Sequence, residues 1–196
     1  MKRIDRSAAS AVVLSAALIL GLAGCAFNDS DRQGPSEPFP TSSAVELRER
    51  SVEIQQQVRD LIPPESIDQK TSDLPKIGEK PRLLNSCNSV IEEFDNEAAP
   101  GSTYYSGLFV VIVSPSSSIS QLEQQIASSI SANSDWEQLT YTHENAPEKQ
   151  TWATPDGFLV DIYVDVLADK GRTELVVRVT SPCFVPEPPY KAGDEI

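Results

Sequence analysis

Histidine occurs once in the 196 residues, methionine once and cysteine three times. So few soft ligands leave no room for a multi-histidine zinc site or a cysteine cluster, and the sequence predicts no resident metal and no cofactor. No C-x-x-C pair is present to poise a reactive thiolate. Basic side chains are also scarce: 16 Lys and Arg stand against 29 Asp and Glu, giving a formal charge of −13 and a pI near 4.4. A protein that tracks phosphates along a nucleic acid needs a basic stripe, so nucleic acid is not an expected partner. Aromatic residues are only 7% of the chain, which points to a mainly aliphatic core. Hydrophobic residues at 39% and charged residues at 23% are a globular balance, and the length fits one domain plus attachments.

The attachments are at the N-terminus. Lys2, Arg3 and Arg6 precede an apolar run from Ala8 to Gly24, short for a membrane span and placed like the core of a secretory signal. The run closes on Leu22-Ala23-Gly24-Cys25, which is similar to the lipobox of bacterial lipoprotein precursors. There the Cys receives a diacylglyceryl thioether and becomes the mature N-terminus, so Cys25 is the expected lipidation site and residues 1–24 the expected signal peptide. Without that segment 13 basic and 28 acidic residues remain, a charge of −15. Such a body is repelled by an anionic leaflet, and attachment to the outer, extracytoplasmic face of the cell membrane must come from the lipid. Two acyl chains on one Cys suffice for stable anchoring where one is marginal. Residues 25–43 are rich in Ser, Asp and Pro and read as a tether with roughly 25 Å of reach.

The rest, residues 44–185, reads as one α+β domain, with 186–196 as a Pro-rich tail. Leu47, Ile54, Val58 and Leu61 predict a helix over 44–62, capped by Ser42 or Ser43 and ended by Pro63-Pro64. Residues 65–103 carry recurrent turn formers and read mostly as ordered coil. Tyr104 to Val113 is a dense β-branched and aromatic run, the mark of a central strand. A second helix follows, with Ser120 and Glu123 at capping-box spacing and Ile119, Leu122, Ile126 and Ile130 on one face. Strands are predicted over 136–144 and 150–153. A type I turn at Thr154-Pro155-Asp156-Gly157 leads into an alternating strand from Phe158 to Val166. A last strand carries Leu175, Val177 and Val179. The expectation is a two-layer sandwich: an antiparallel sheet of about five strands with helices on one face.

Two Cys remain after lipidation, Cys87 and Cys183, and in a disulfide-permissive compartment pairing is the default. Closing a loop near a hundred residues long is worth roughly 4–5 kcal/mol in the chain-entropy model. The lipobox, the early helix with Ile62-Pro63, the Cys87 segment and the closing Asp156-Gly157…Ser181-Pro182-Cys183-Phe184 resemble small actinobacterial membrane lipoproteins of the LppA type. That resemblance implies an α+β domain on the outer face of the membrane and brings no active-site motif with it.

Candidate chemistry is thin. His143 is the only candidate base, but no nucleophile motif such as G-x-S-x-G accompanies it, and a surface role is expected. Asp161, Asp165 and Asp169 invite a metal reading. Positions four apart on a strand lie about 13 Å apart, however, too far for one cation to bridge, and the trio reads as a solvated edge. Glu92, Glu93, Asp95 and Glu97 form a denser acidic loop without the EF-hand glycine or ligand spacing. No catalytic residue is assigned and an enzyme is not expected. Two function classes stay open: a non-catalytic interaction module that binds a protein or a cell-wall component, and a carrier holding an apolar, lipid-like ligand between sheet and helices.

Overall fold

The computed structural model describes residues 39–70, 74–87, 101–140 and 149–196. Of these, Ser43 opens the first helix, α1 (Ala44–Asp60): its extended backbone stops the chain short of helical geometry, and its hydroxyl accepts from the Glu46 N–H at 3.4 Å. Pro63, which cannot continue the hydrogen-bond ladder, ends it. The apolar stripe behaves as its spacing predicts: Ile54 and Val58 are fully buried, with Leu47 and Leu61 packed at the margin. The second helix, α2 (Ile119–Asn133), buries Leu122, Ile126 and Ile130. Its N-cap is Ser118, not Ser120. Ser120 sits inside the first turn, and its hydroxyl meets that of Ser118 at 3.3 Å. The anticipated reciprocal cap therefore does not form at Ser120: the helix starts earlier, bringing Ile119 into its first turn.

Eight strands follow the chain order β1 (Thr41–Ser42), β2 (Leu84–Ser86), β3 (Thr103–Ile112), β4 (Glu137–Leu139), β5 (Lys149–Ala153), β6 (Leu159–Leu167), β7 (Arg172–Thr180) and β8 (Val185–Pro186). Six of them form one antiparallel sheet in the order β2-β3-β7-β6-β5-β4. The fold is α+β, a sheet with both helices on one face, and the sheet has six strands where about five were expected. The additional strand is β2, only three residues long, in a segment whose turn formers hide any alternation.

The period of two along β3, β6 and β7 decides which side is covered. Phe109, Val111, Phe158, Val160, Ile162, Leu175, Val177 and Val179 point to the helices and join their buried residues in one cluster with Trp152. Each such side chain contributes roughly 1.5–3 kcal/mol on burial. Register carries the row across the sheet, with Phe109 opposite Val177 and Val177 opposite Ile162. Where α1 crosses this face the residue on β3 is Gly107. A Cβ there would lie 2.2 Å from Gln55 Nε2 and 2.6 Å from Ser51 Oγ. The glycine is what lets the helix approach so closely, and Ser51 Oγ uses that proximity to donate to the Val179 carbonyl at 3.3 Å.

The turn between β5 and β6 matches its expectation: the Gly157 N–H donates to the Thr154 carbonyl at 2.9 Å, and Gly157 takes φ +84°. The apolar row of β6 does not stay covered to its end. Val164 is half-buried and Val166 is 63% exposed, because the strand runs past the helices. Among the described residues no helix is long and apolar enough to cross a membrane.

The proposed boundaries at both ends of the domain need correction. β1 pairs in parallel with β8, through Val185 N–H to the Pro40 carbonyl at 2.9 Å and Glu187 N–H to the Ser42 carbonyl at 3.2 Å. Beyond β8 the chain returns to β2: Gly193 N–H donates to Leu84, Leu84 N–H to Asp194, and Arg82 and Ile196 exchange both bonds at 3.0 Å. Residues 186–196 are thus part of the fold and not a tail. Its prolines cost donors, but the N–H groups of Glu187, Tyr190, Gly193, Asp194 and Ile196 find backbone acceptors, and that of Lys191 donates to the Asp194 carboxylate at 2.9 Å. Tyr190 and Ile196 pack on a second small cluster of Ala44, Leu84, Tyr105 and Phe184.

Candidate functional site

Cys87 and Cys183 are bonded, with Sγ atoms 2.13 Å and Cα atoms 6.2 Å apart. The bridge lies where the second cluster is assembled: Cys87 N–H donates to the Ser102 carbonyl, and Phe184, next to Cys183, exchanges both backbone bonds with Thr103. It ties the end of β2 to the chain leaving β7. Cys25, His143 and the acidic run Glu92, Glu93, Asp95 and Glu97 lie outside the described residues.

The aspartate trio is not an edge. Asp161 stands on β6, an interior strand flanked by β5 and β7, and its carboxylate accepts from Thr151 Oγ1 at 2.7 Å and meets Lys149 Nζ at 3.2 Å. Sequence spacing alone could not tell an interior strand from an exposed one. Asp165 is exposed further along the same strand. Among the described residues no group of three His, Cys, Asp or Glu side chains stands close enough to hold a metal ion.

Three titrating groups on or near the first helix are perturbed. Burial would raise the Asp156 carboxyl, but the hydrogen bond from Arg50 Nε at 2.7 Å, with help from the Thr154 side chain and the backbone, holds it below the ordinary carboxylate value. The same contact raises the Arg50 guanidinium. Burial pushes the Tyr105 phenol above its usual range, against the opposing charges of Arg48 and Arg82.

The segment read as coil has a defined task. After α1 the chain makes a single 3-10 turn at Pro64–Ser66 and then runs along the outer edge of β3. Asp68 N–H donates to the Ile112 carbonyl and Leu74 N–H to the Val110 carbonyl, each at 2.8 Å, while Arg82 Nη2 reaches the Leu108 carbonyl at 3.5 Å. Beyond the three residues paired with β2, this strap satisfies carbonyls on the edge that β3 would otherwise leave open. Arg48 Nη2, on α1, holds the strap by donating to the Gly78 carbonyl at 2.9 Å.

Three open hollows and one small cavity accompany these elements. A hollow of about 300 Å³ lies at the end of the sheet beside Ile112, Ile119, Val166 and Arg172. Another of about 460 Å³ lies on the sheet face away from the helices, lined by Arg82, Leu83, Tyr104, Ser106, Leu108 and Arg178. A third, about 470 Å³, lies between α1 and the strap at Gln56, Arg59 and Lys76. Between these last two is a cavity of about 10 Å³, walled by Gln55, Lys76, Lys80, Arg82, Tyr105 and Gly107. The sequence reading passed over these strap residues; the signal that could have found them is the spacing Lys76, Lys80, Arg82 in an otherwise acidic chain. No family model, no curated protein and no solved structure matches this chain.

Proposed function

We propose that this protein is an envelope lipoprotein, held on the extracytoplasmic face of the cell membrane through a diacylglyceryl group on Cys25, and that its folded domain is a non-catalytic interaction module. One observation carries the reading: Leu22-Ala23-Gly24-Cys25 ends an apolar run that follows Lys2, Arg3 and Arg6. The Cys87–Cys183 bridge supports it, because structural disulfides persist in oxidising compartments and are rare in the cytosol. The resemblance to small actinobacterial lipoproteins of the LppA type belongs to the same reading.

The interaction role is favoured over the carrier role by how the space between the layers is filled. Phe109, Trp152, Phe158, Ile54 and Ile126 are all at most 2% exposed, and the hollows of several hundred Å³ described above are open rather than enclosed between sheet and helices. Fractionation of cells expressing wild type and Cys25→Ala tests the anchor. Wild type should sediment with membranes and carry the diacylglyceryl mass on its N-terminal Cys. The variant should be soluble or unprocessed, with its disulfide and far-UV spectrum intact. A processed Cys25→Ala protein that sediments as wild type does would end the proposal.

A further inference from the structure

The charge of the chain is −13, yet the strap gathers cations. Lys76, Lys80 and Arg82 all wall the small cavity described above. Lys76 and Lys80 are exposed and Arg82 is half-buried. Among the described residues none of the three makes an ion pair. Lys76 also lines the hollow that holds Arg59, and Arg82 lines the one that holds Arg178, so the hollows adjoin in one strip along the β3 edge. Asp60 and Glu195 line it, Glu79 lies on the strap between Lys76 and Lys80, and Asp161 stands opposite Arg178 across the β6–β7 pair. At the base of the cavity the Gln55 side chain is 1% exposed, and its Oε1 has no hydrogen-bond partner. Its amide nitrogen is committed to Ser51, at 3.2 Å from the carbonyl and 3.3 Å from the hydroxyl. A buried acceptor left open costs about 1–3 kcal/mol until something donates to it. The cavity of about 10 Å³ has room for a single water, which can donate to it.

We infer that this strip binds a polyanionic glycan, a sugar polymer carrying carboxylates or phosphodiesters. The inference names a partner class for the interaction module proposed above and rests on that reading for its cellular setting. Ammonium and guanidinium groups without an ion-pair partner around one opening attract anionic substituents, with charge-assisted hydrogen bonds the strongest available contact. The rest of the lining suits sugar. Tyr104, Leu83 and Leu108 offer a flat apolar ground for the carbon face of a ring, and Asn85 and Ser106 supply amide and hydroxyl partners. A turn in which Glu79 N–H donates to the Lys76 carbonyl at 3.3 Å gathers Lys76, Lys80 and Arg82 around one opening, and the two adjoining hollows extend it on either side. Because the whole protein repels anions, attraction acts only at short range and weakens as salt rises.

The test is calorimetric titration of the full chain, in a neutral detergent, with polygalacturonate, dextran and poly-L-glutamate. Wild type should bind polygalacturonate and neither of the others. The variant Lys76→Gln/Lys80→Gln/Arg82→Gln should bind about tenfold more weakly or worse. Lys170→Gln/Lys191→Gln, which removes charge at exposed positions off the strap, should stay within about twofold of wild type. Circular dichroism checks both folds, and the single exposed change Lys80→Gln serves if the triple variant unfolds. Equal binding of dextran, or unchanged binding by the strap variant, overturns the inference. So does equal loss in the control variant. Poly-L-glutamate binding as tightly as the glycan overturns the sugar assignment. None of these outcomes touches the Cys25 fractionation, so failure here and failure of the anchor are separable.

Discussion

The two apolar clusters are held by different means. The large one lies between the sheet and both helices, its members repeat with the period of their elements, and burial supplies its stability. The small one has four fully buried residues, Ala44, Leu84, Tyr105 and Phe184, drawn from a helix start, a three-residue strand, the N-terminal end of β3 and an irregular loop. So few side chains cannot order four separate segments by burial alone, since each ordered residue costs roughly 1–2 kcal/mol of backbone entropy. What orders them is the disulfide together with backbone bonds between short, Pro-rich pieces: β1 to β8, Arg82 to Ile196, Leu84 to Asp194, and Thr103 to Phe184. Periodic sequence makes a core by packing, and aperiodic sequence makes one by being tied.

The contrast can be broken in several places. The largest effect should come from Cys87→Ser/Cys183→Ser, which frees a loop with a sequence separation of 96 residues and should lower stability by about 4–5 kcal/mol. Hydrogen exchange should then show residues 184–196 opening before β6 and β7. If all strands lose protection together, the small cluster is not a separately tied unit. Phe109→Ala, in the packed cluster, should cost about 3–5 kcal/mol as a single cooperative shift of the chemical-denaturation midpoint; a change confined to local exchange would deny it a place in the common core. Gly107→Ala places a methyl where Gln55 and Ser51 already stand, and an overpacking cost of about 1–3 kcal/mol is expected. A thermal melt equal to wild type would show that α1 shifts freely.

The smallest effect concerns Asp156. Its folded value lies below the unfolded value of about 3.9, so its contribution is present above that pH and is lost as pH falls through the folded value. Asp156→Asn should therefore cost at most about 1 kcal/mol at neutrality, because the Arg50–Asp156 pair is well exposed, and nothing once pH falls below the folded value, so that the acid limb flattens and the two curves converge. A loss at pH 3 as large as that at pH 7 would contradict this.

Legibility follows the same division. Alternation exposed β6 and β7, and the 3.6-residue stripe exposed both helices, because in each the pattern is a direct image of one-sided burial, while β3 was legible from its dense β-branched and aromatic run. The turn at Thr154–Gly157 was legible from proline and glycine chemistry. The strap over 67–70 and 74–83, the strand β2 and the returning segment 186–196 were not, since their backbone groups pair with a distant β3 edge, with β1 and with each other, and such pairing leaves no period. The placement of Asp161 was missed for a related reason: spacing along a strand says nothing about which strands lie beside it. The cationic strip on the strap is assembled by that same folding-back, so its residues could be counted in advance but not brought together.

The pairing of β1 with β8 has a mechanical consequence. A force entering the domain from the residues before Pro40 meets first the two backbone bonds to Val185 and Glu187. These lie across a parallel pair, so a pull along the strand loads both at once, in shear, and does not peel them one after the other. From β8 the strain passes within two residues to Cys183 and through the disulfide to Cys87. From Cys183 the chain also runs within three residues to Thr180 at the end of β7, so a tug on the leading segment is divided between two covalent routes, one into β7 and one through the bridge to the end of β2.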